Sequence, residues 1–367
     1  MGVAVMGVGI CGSFPTSSGL SYRELIVRAA EMAYRDAGIE PEELDGAVSV
    51  EEDFVSGYSI ADEYVPDQLG VVRKPVYTIC GDFLHGVGSA VMQIETGRFD
   101  TVVVVAYSKA SNIINKDELL HFAFDPVMNR LGVSPHFLAG LEMQRFLDAS
   151  FCSLQEVAEV VTRNRGAAVA NPLAPYGGHI APEDVLNGRP VATPLTEPMI
   201  ARHSDAAVCV VLGSDETARE RSRHPVFISG TGWASSNSVI ERRELELSEA
   251  TAMASRMACA EAGIVSVAEE IDLYYVSDLY AYRQVMHMEA LGLGEEALPF
   301  VNPDGGSLGC GDLLEVNGGA RLYDAVLQVR GEAGVHQVQD VENVLVHGWR
   351  GLPTDSCAVV ILDAERS

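Results

Sequence analysis

Short, almost wholly apolar runs alternate with amphipathic helical stretches along nearly the whole chain. That alternation restricts the fold to the α/β class, in which strands are buried on both faces and helices cover them. Strands are expected at 3–8, 47–50, 76–79, 101–106 and 206–212, and helices at 22–36 and 81–96, the last two closed by Gly38 and Gly97. Between about 108 and 198 the pattern loosens into polar, Pro- and Gly-containing stretches with short helices such as 154–164. This stretch is expected as an insertion above the sheet. The order then starts over, with strands at 226–229, 272–276, 344–346 and 357–362 and helices at 247–262, 280–291 and 313–330. We therefore expect two halves, 1–222 and 223–367, with the same element order. No repeat is visible at the level of individual residues.

Composition narrows the function. The 367 residues are 47% apolar and 21% charged, and no segment approaches the 18 uninterrupted apolar residues of a membrane span. The N-terminus MGVAVMGVGI lacks the basic start of a secretory signal, so a cytoplasmic enzyme is the default expectation. A net charge of −27 disfavours nucleic acid and anionic membranes as partners, although a local cluster of donors could still hold an anionic ligand. The seven cysteines are scattered and form no C-x-x-C pair, so neither a disulfide framework nor a metal site is expected within this chain.

Two local patterns invite a chemical reading. Gly7-Val8-Gly9-Ile10-Cys11-Gly12 matches G-x-G-x-x-G, but Phe14 to Gly19 separate it from the next helix. A pyrophosphate site needs the helix to begin at the third glycine, so a plain strand-to-loop turn is expected here. Cys80 stands where a strand turns into a helix. Orphan N–H groups and the helix dipole there favour a thiolate and could bind an oxyanion, while a buried structural cysteine remains open on local grounds.

The wider spacing around Cys80 resembles the thiolase superfamily, closest to its sterol-carrier-protein-type branch. That family sets a nucleophilic cysteine at such a turn, with a glycine seventeen residues on, as Gly97 is here. Ser204-Asp205-Ala206-Ala207 resembles its S-D-G-A-A turn, and Ser277-Asp278-Leu279-Tyr280 takes the place of H-D-C-F. Asn302 to Gly306 with Gly311-Asp312-Leu313 takes the place of N-x-x-G-G and G-H-P, and His347-Gly348 falls at the last catalytic loop. The resemblance runs from about residue 3 to 363.

It implies a five-layered αβαβα fold built from two duplicated βαβαβαββ halves. It also implies an acyltransferase that breaks the carbon–carbon bond of a 3-oxoacyl-CoA by thiolysis, with coenzyme A as acyl carrier and 2-benzoylsuccinyl-CoA as one candidate substrate. Cys80 would attack the keto carbon, and His347 or Tyr280 would protonate the departing carbanion. Ser277 and Asp312 complete the expected catalytic set; Gly306, Gly311 and Gly348 are expected against the cofactor. Asp312 replaces the histidine that donates to the thioester oxygen, and an ionised carboxylate cannot donate. The altered motifs resemble the large subunit of two-component enzymes that pair with a small zinc-ribbon, OB-fold protein, and a homodimer is expected through the N-terminal half. A retro-aldolase on a 3-hydroxyacyl-CoA, with Tyr280 as acid/base, and a non-catalytic acyl-CoA-binding subunit are the alternatives. His85, five residues past Cys80 on the same helix, is expected to be structural.

Overall fold

The computed structural model describes residues 2–52, 61–113, 115 and 120–365. The first strand, β1 (Val3–Phe14), runs straight through the glycine pattern, and α1 (Tyr22–Ala37) starts only after a loop. The expected turn at residue 8 is thus a continuing strand. Its glycines have a packing role: a side chain on Gly7 or Gly9 would overlap the backbone of Ala33 or Ala29, so the glycines let α1 lie close on the sheet. Ser21 and Glu24 close the start of α1 with a capping box, and Gly38 ends it in the left-handed conformation.

The remaining elements of the first half are β2 (Gly46–Val50), β3 (Val76–Ile79), α2 (Phe83–Glu95), β4 (Thr101–Lys109) and, after the insertion, β5 (Asp205–Ser214). The second half supplies β6 (Val226–Ser235), α5 (Glu249–Ala262), β7 (Leu273–Tyr275), α6 (Ala281–Leu291), α7 (Asn317–Arg330), β8 (Asn343–Trp349) and β9 (Ser356–Asp363). The insertion carries α3 (Pro135–Ala149) and α4 (Leu154–Ala168), so those two labels precede α5 in the chain.

One continuous ladder orders the strands β3-β2-β4-β5-β1-β6-β9-β8-β7, joined across the halves where Val3 to Val5 pair with Ile228 to Val226. The two halves carry the same order. β3-β2-β4-β5-β1 is matched by the isolated parallel bridge at Val301, then β7-β8-β9-β6. The packing device of β1 recurs as well, because side chains on Gly230 and Gly232 would overlap the backbone of Ala258 and Ala254 on α5. A residue-level repeat does exist, as paired strand glycines facing helix alanines.

Strands from both halves and the helices α2 and α7 share one core, with Phe83, Val87, Leu322 and Val326 between Val104 and Val210 on one side and Val346 and Val360 on the other. α1 covers the outside of the first half, and α5 and α6 cover the outside of the second. These are the five expected layers. The insertion belongs to the first half by sequence but packs on the second: Leu138, Met143, Phe146, Val157 and Val161 join the core of α6 and β9. No helix among the described residues is long and apolar enough to cross a membrane.

Candidate active site

Cys80 lies between the end of β3 and Asp82, which caps α2, and it is exposed. The Asp82 carboxylate accepts from Leu84 N at 3.1 Å and from Gly318 N at 2.9 Å, tying the start of α2 to the start of α7. It occupies the space that side chains on Gly318 and Gly348 would need. Gly348 therefore makes room for a buried carboxylate rather than for a ligand. The neighbouring strand end carries Glu51, whose N–H donates to Ile79 O, and Glu52, whose carboxylate binds Arg350 at 2.5 Å.

Arg350 begins the loop after β8 and lines a cavity of about 590 Å³ with Pro135, His136, Ile200, His203, Leu279, Tyr280, Asp312 and Leu352. Burial alone would lower the pKa of its guanidinium, but Glu315 and Glu52 more than compensate and hold it raised. The Tyr280 hydroxyl lies 3.1 Å from His136 Nδ1, with the two rings edge to face at 5.9 Å. Asp312 is turned to the same space. Its Oδ1 accepts from Leu314 N and Asn317 Nδ2 at 3.1 and 3.0 Å, and its Oδ2 is 3.5 Å from His203 Nδ1. Backbone bonds between Asp312 N and Arg202 O, and between Ser204 N and Asp312 O, lock this segment beside the turn before β5.

Two further cations flank that turn. Arg165 on α4 has its pKa lowered by burial and by the proximity of Arg202, and its Nε is buried without a hydrogen-bond partner among the described residues. Arg202 stacks over Tyr176 at 5.7 Å from the ring centre. Two like charges held together, one with a stranded donor, suit a phosphate. A plain solvated face would leave no donor buried.

Other expected site residues lie elsewhere. His347 is inside β8, not in a loop, because the strand runs on to Trp349 and pairs with β9 throughout. It is fully buried, and burial, with Arg321 and Arg283 nearby, lowers its pKa to about 3. Ser277 is equally buried; its N–H donates to His347 Nδ1 at 3.3 Å, and its hydroxyl is buried with no hydrogen-bond partner among the described residues. Gly306 abuts the Asp278 carboxylate and Gly311 abuts Ser204, both at positive φ, so both glycines serve close packing. Asp278 itself accepts from Ser307 N, Leu308 N and Asn164 Nδ2, which fixes the turn leading to Asp312. His85 bonds Ser356 Oγ at 3.0 Å and is part of the packing of α2.

Among the described residues, His287, His347 and Cys357 bring ligand atoms within 4.8 Å of one another. Their chemistry does not suit a metal. The Ser277 N–H occupies the lone pair of His347 Nδ1, so its proton sits on Nε2, which points at Thr251 Oγ1 at 3.0 Å. The same hydroxyl also meets His287 Nδ1 and Cys357 Sγ.

The residues that sequence reasoning missed come mostly from the insertion. His136 opens α3, whose start is legible in Ser134-Pro135, a cap followed by the one residue best suited to the first helical position.

Residues 232–363 match the family model described as thiolase C-terminal domain-like. An acetyl-CoA acetyltransferase of Methanothermobacter thermautotrophicus is 28% identical, over 95% of this chain and 96% of its own length. A 17-hydroxy-3-oxo-4-pregnene-20-carboxyl-CoA lyase of Mycobacterium tuberculosis is 28% identical, over 96% of this chain and 97% of its own. Among solved structures, the Ltp2-ChsH2(DUF35) aldolase superposes with a TM-score of 0.85 at 24% identity, covering 100% of this chain and 98% of that one.

Proposed function

Because the chain belongs to the thiolase superfamily, in its sterol-carrier-protein-type branch, we propose that it cleaves the carbon–carbon bond beside an acyl-CoA thioester by a retro-aldol route. The observation that carries this reading is the Tyr280 hydroxyl, which faces the cavity in contact with an imidazole, while His347 is sealed inside the sheet. Tyr280 would take the proton of a 3-hydroxyl group. The C–O bond becomes a carbonyl, the Cα–Cβ pair moves onto Cα as a thioester enolate, and a proton returned to Cα completes the products: a ketone or aldehyde and a shortened acyl-CoA.

This order reverses the one expected from sequence, in which thiolysis came first. What moves it is the burial of His347, which leaves a thiolytic site without its expected acid/base beside Cys80, whereas Asp312 as a carboxylate offers only acceptors to the thioester oxygen on either route. Arg165 and Arg202 would hold the coenzyme A phosphates, and the apolar wall of Pro135, Ile200, Leu279 and Leu352 would hold the acyl group. Thiolysis remains the second reading, supported by the exposed position of Cys80 at the start of α2. A homodimer and a small zinc-ribbon, OB-fold partner complete the proposal. The partner is supported by the two-component name of the aldolase structure.

The test uses the full chain with 17-hydroxy-3-oxo-4-pregnene-20-carboxyl-CoA as probe. Retro-aldol cleavage releases the 17-ketone and a shortened acyl-CoA without free coenzyme A and leaves Cys80 unmodified. Turnover of 2-benzoylsuccinyl-CoA that requires free coenzyme A and traps an acyl group on Cys80 would establish thiolysis instead.

A further inference from the structure

We propose that His136 is the proton partner of Tyr280, taking the phenolic proton so that Tyr280 can act as base and returning it for the protonation of Cα. This inference rests on the retro-aldol reading and deepens it.

The chemical need is plain. An isolated phenol ionises at about 10, so by itself it is a poor base at neutral pH, whereas an imidazole ionises at about 6.5. In hydrogen-bond contact the imidazole can receive the phenolic proton as the phenol takes the substrate's. His136 Nδ1 stands 3.1 Å from the Tyr280 hydroxyl, and both residues line the cavity. Asp312, His203, Arg202, Arg350, Arg189 and Glu197 are the other ionisable groups facing that space.

The second observation is how the pair is held. His136 is the second residue of α3, and Tyr280 immediately precedes α6. Six residues after His136, Glu142 enters the core, and three residues after Tyr280, Arg283 meets it. Arg283 Nε donates to Glu142 Oε2 at 2.7 Å and its Nη2 to Oε1, while the Tyr282 hydroxyl donates to Oε2 at 2.5 Å. Arg283 also reaches Asp355, which accepts from Trp349 Nε1 at 3.0 Å, and its guanidinium lies over the Trp349 ring. The Arg283 and Glu142 side chains are 1% and 2% exposed. A buried ion pair adds little net stability, because desolvation offsets its attraction, but its directional bonds admit one register. Here that register sets α3 against α6 at the end where His136 meets Tyr280. The ring of Tyr280 is further confined by Tyr282 and Trp349, at 6.0 and 6.3 Å between centres.

A merely structural hydrogen bond would be kept by an amide, which neither takes up nor releases a proton near neutral pH. His136→Asn in the full chain, assayed with the same pregnene-20-carboxyl-CoA probe, should therefore lower kcat about a hundredfold with KM little changed, and should remove the acid limb of the kcat/KM profile. Imidazole added to His136→Ala should restore part of the rate. A His136→Asn rate within threefold of the parent, with the same pH profile, overturns the proposal. Tyr280→Phe separates the two claims: if it is inactive while His136→Asn is fully active, only the role of His136 fails. If Tyr280→Phe cleaves at the parent rate, the retro-aldol reading and this inference fall together. A substrate-free check is the titration of ¹⁵N-histidine-labelled protein. The His136 midpoint should move when Tyr280 becomes Phe, and an unmoved midpoint contradicts the pairing.

Discussion

Replacing His347 by Gln separates a structural histidine from a catalytic one, and its effect can be worked out from burial alone. His347 is 0% exposed and its pKa falls from an ordinary 6.5 to about 3, through burial first and then Arg321 and Arg283. A base whose folded pKa is depressed binds its proton better in the unfolded chain. Its neutral form thus supports the fold in full above about pH 6.5, and that support is lost as pH falls toward 3. A difference of about 3.5 units corresponds to roughly 5 kcal/mol at the acid end, and to about 2 kcal/mol at pH 5. The variant should be less stable at pH 7 by about 1–3 kcal/mol, because the buried Ser277 N–H loses its imidazole acceptor, while the Thr251 hydroxyl keeps His287 Nδ1 and Cys357 Sγ. It should also lose stability less steeply between pH 7 and 5, by about 2 kcal/mol. Urea unfolding midpoints at pH 7, 6 and 5, for both proteins, read this directly. Parallel pH dependence in the two would refute the reasoning, since it would mean that His347 titrates alike in the folded and unfolded chain. The kcat of the variant on any acyl-CoA probe should stay within a fewfold of the parent, because the imidazole does not reach the cavity.

Four further outcomes are expected. Cys80→Ser should fold normally and keep retro-aldol turnover, while abolishing any thiolytic turnover; loss of both activities would place the thiol in the common step. Glu142→Ala should destabilise by about 3–5 kcal/mol in denaturant, because it leaves the Arg283 charge buried without its main partner; a change below about 1 kcal/mol would show that the pair is not desolvated. Asp205 is held down to about 2, against the effect of burial, by donors from Ser111 and Ser17. Its support, about 2 kcal/mol, is present above about pH 4 and lost as pH falls toward 2, so the gap between the parent and Asp205→Asn in acid titrations should close over that range. Finally, β3 is an edge strand with Tyr77 49% exposed, and an edge of this kind is expected to be covered by a second copy. Light scattering at micromolar concentration should give a dimer.

The fold was largely legible because its signals are periodic. The strands at 76–79 and 47–50 and the helices at 22–36 and 280–291 follow from apolar spacing and from glycine ends such as Gly38 and Gly97. The glycine pattern at residues 7–12 reads in sequence as a strand-to-loop turn, whereas the strand continues through it. Gly7 and Gly9 exist to admit α1, a close approach that shows in sequence only once Gly230 and Gly232 are seen to face the alanines of α5 in the same way.

The site was legible in part. Cys80 stands out by its place at a strand-to-helix turn and Tyr280 and Asp312 by the family resemblance, and the structure sets Tyr280 and Asp312 in one cavity. His347 was misplaced because a histidine beside a glycine after an apolar run reads as a loop start, whereas Gly348 continues the strand to leave room for Asp82. His136 and Glu142 could not be tied to Tyr280 and Arg283 from sequence, since about 140 residues separate the partners and only tertiary packing joins them.

On the proposed route a tyrosine in this cavity, not the thiol at the start of α2, drives carbon–carbon bond cleavage. The rate at which Tyr280→Phe releases ketone from 17-hydroxy-3-oxo-4-pregnene-20-carboxyl-CoA, beside wild type and Cys80→Ser in the same assay, tests it most directly. Tyr280→Phe should be slower than wild type by about a hundredfold or more, with Cys80→Ser close to wild type. Full activity in Tyr280→Phe together with an inactive Cys80→Ser would contradict it.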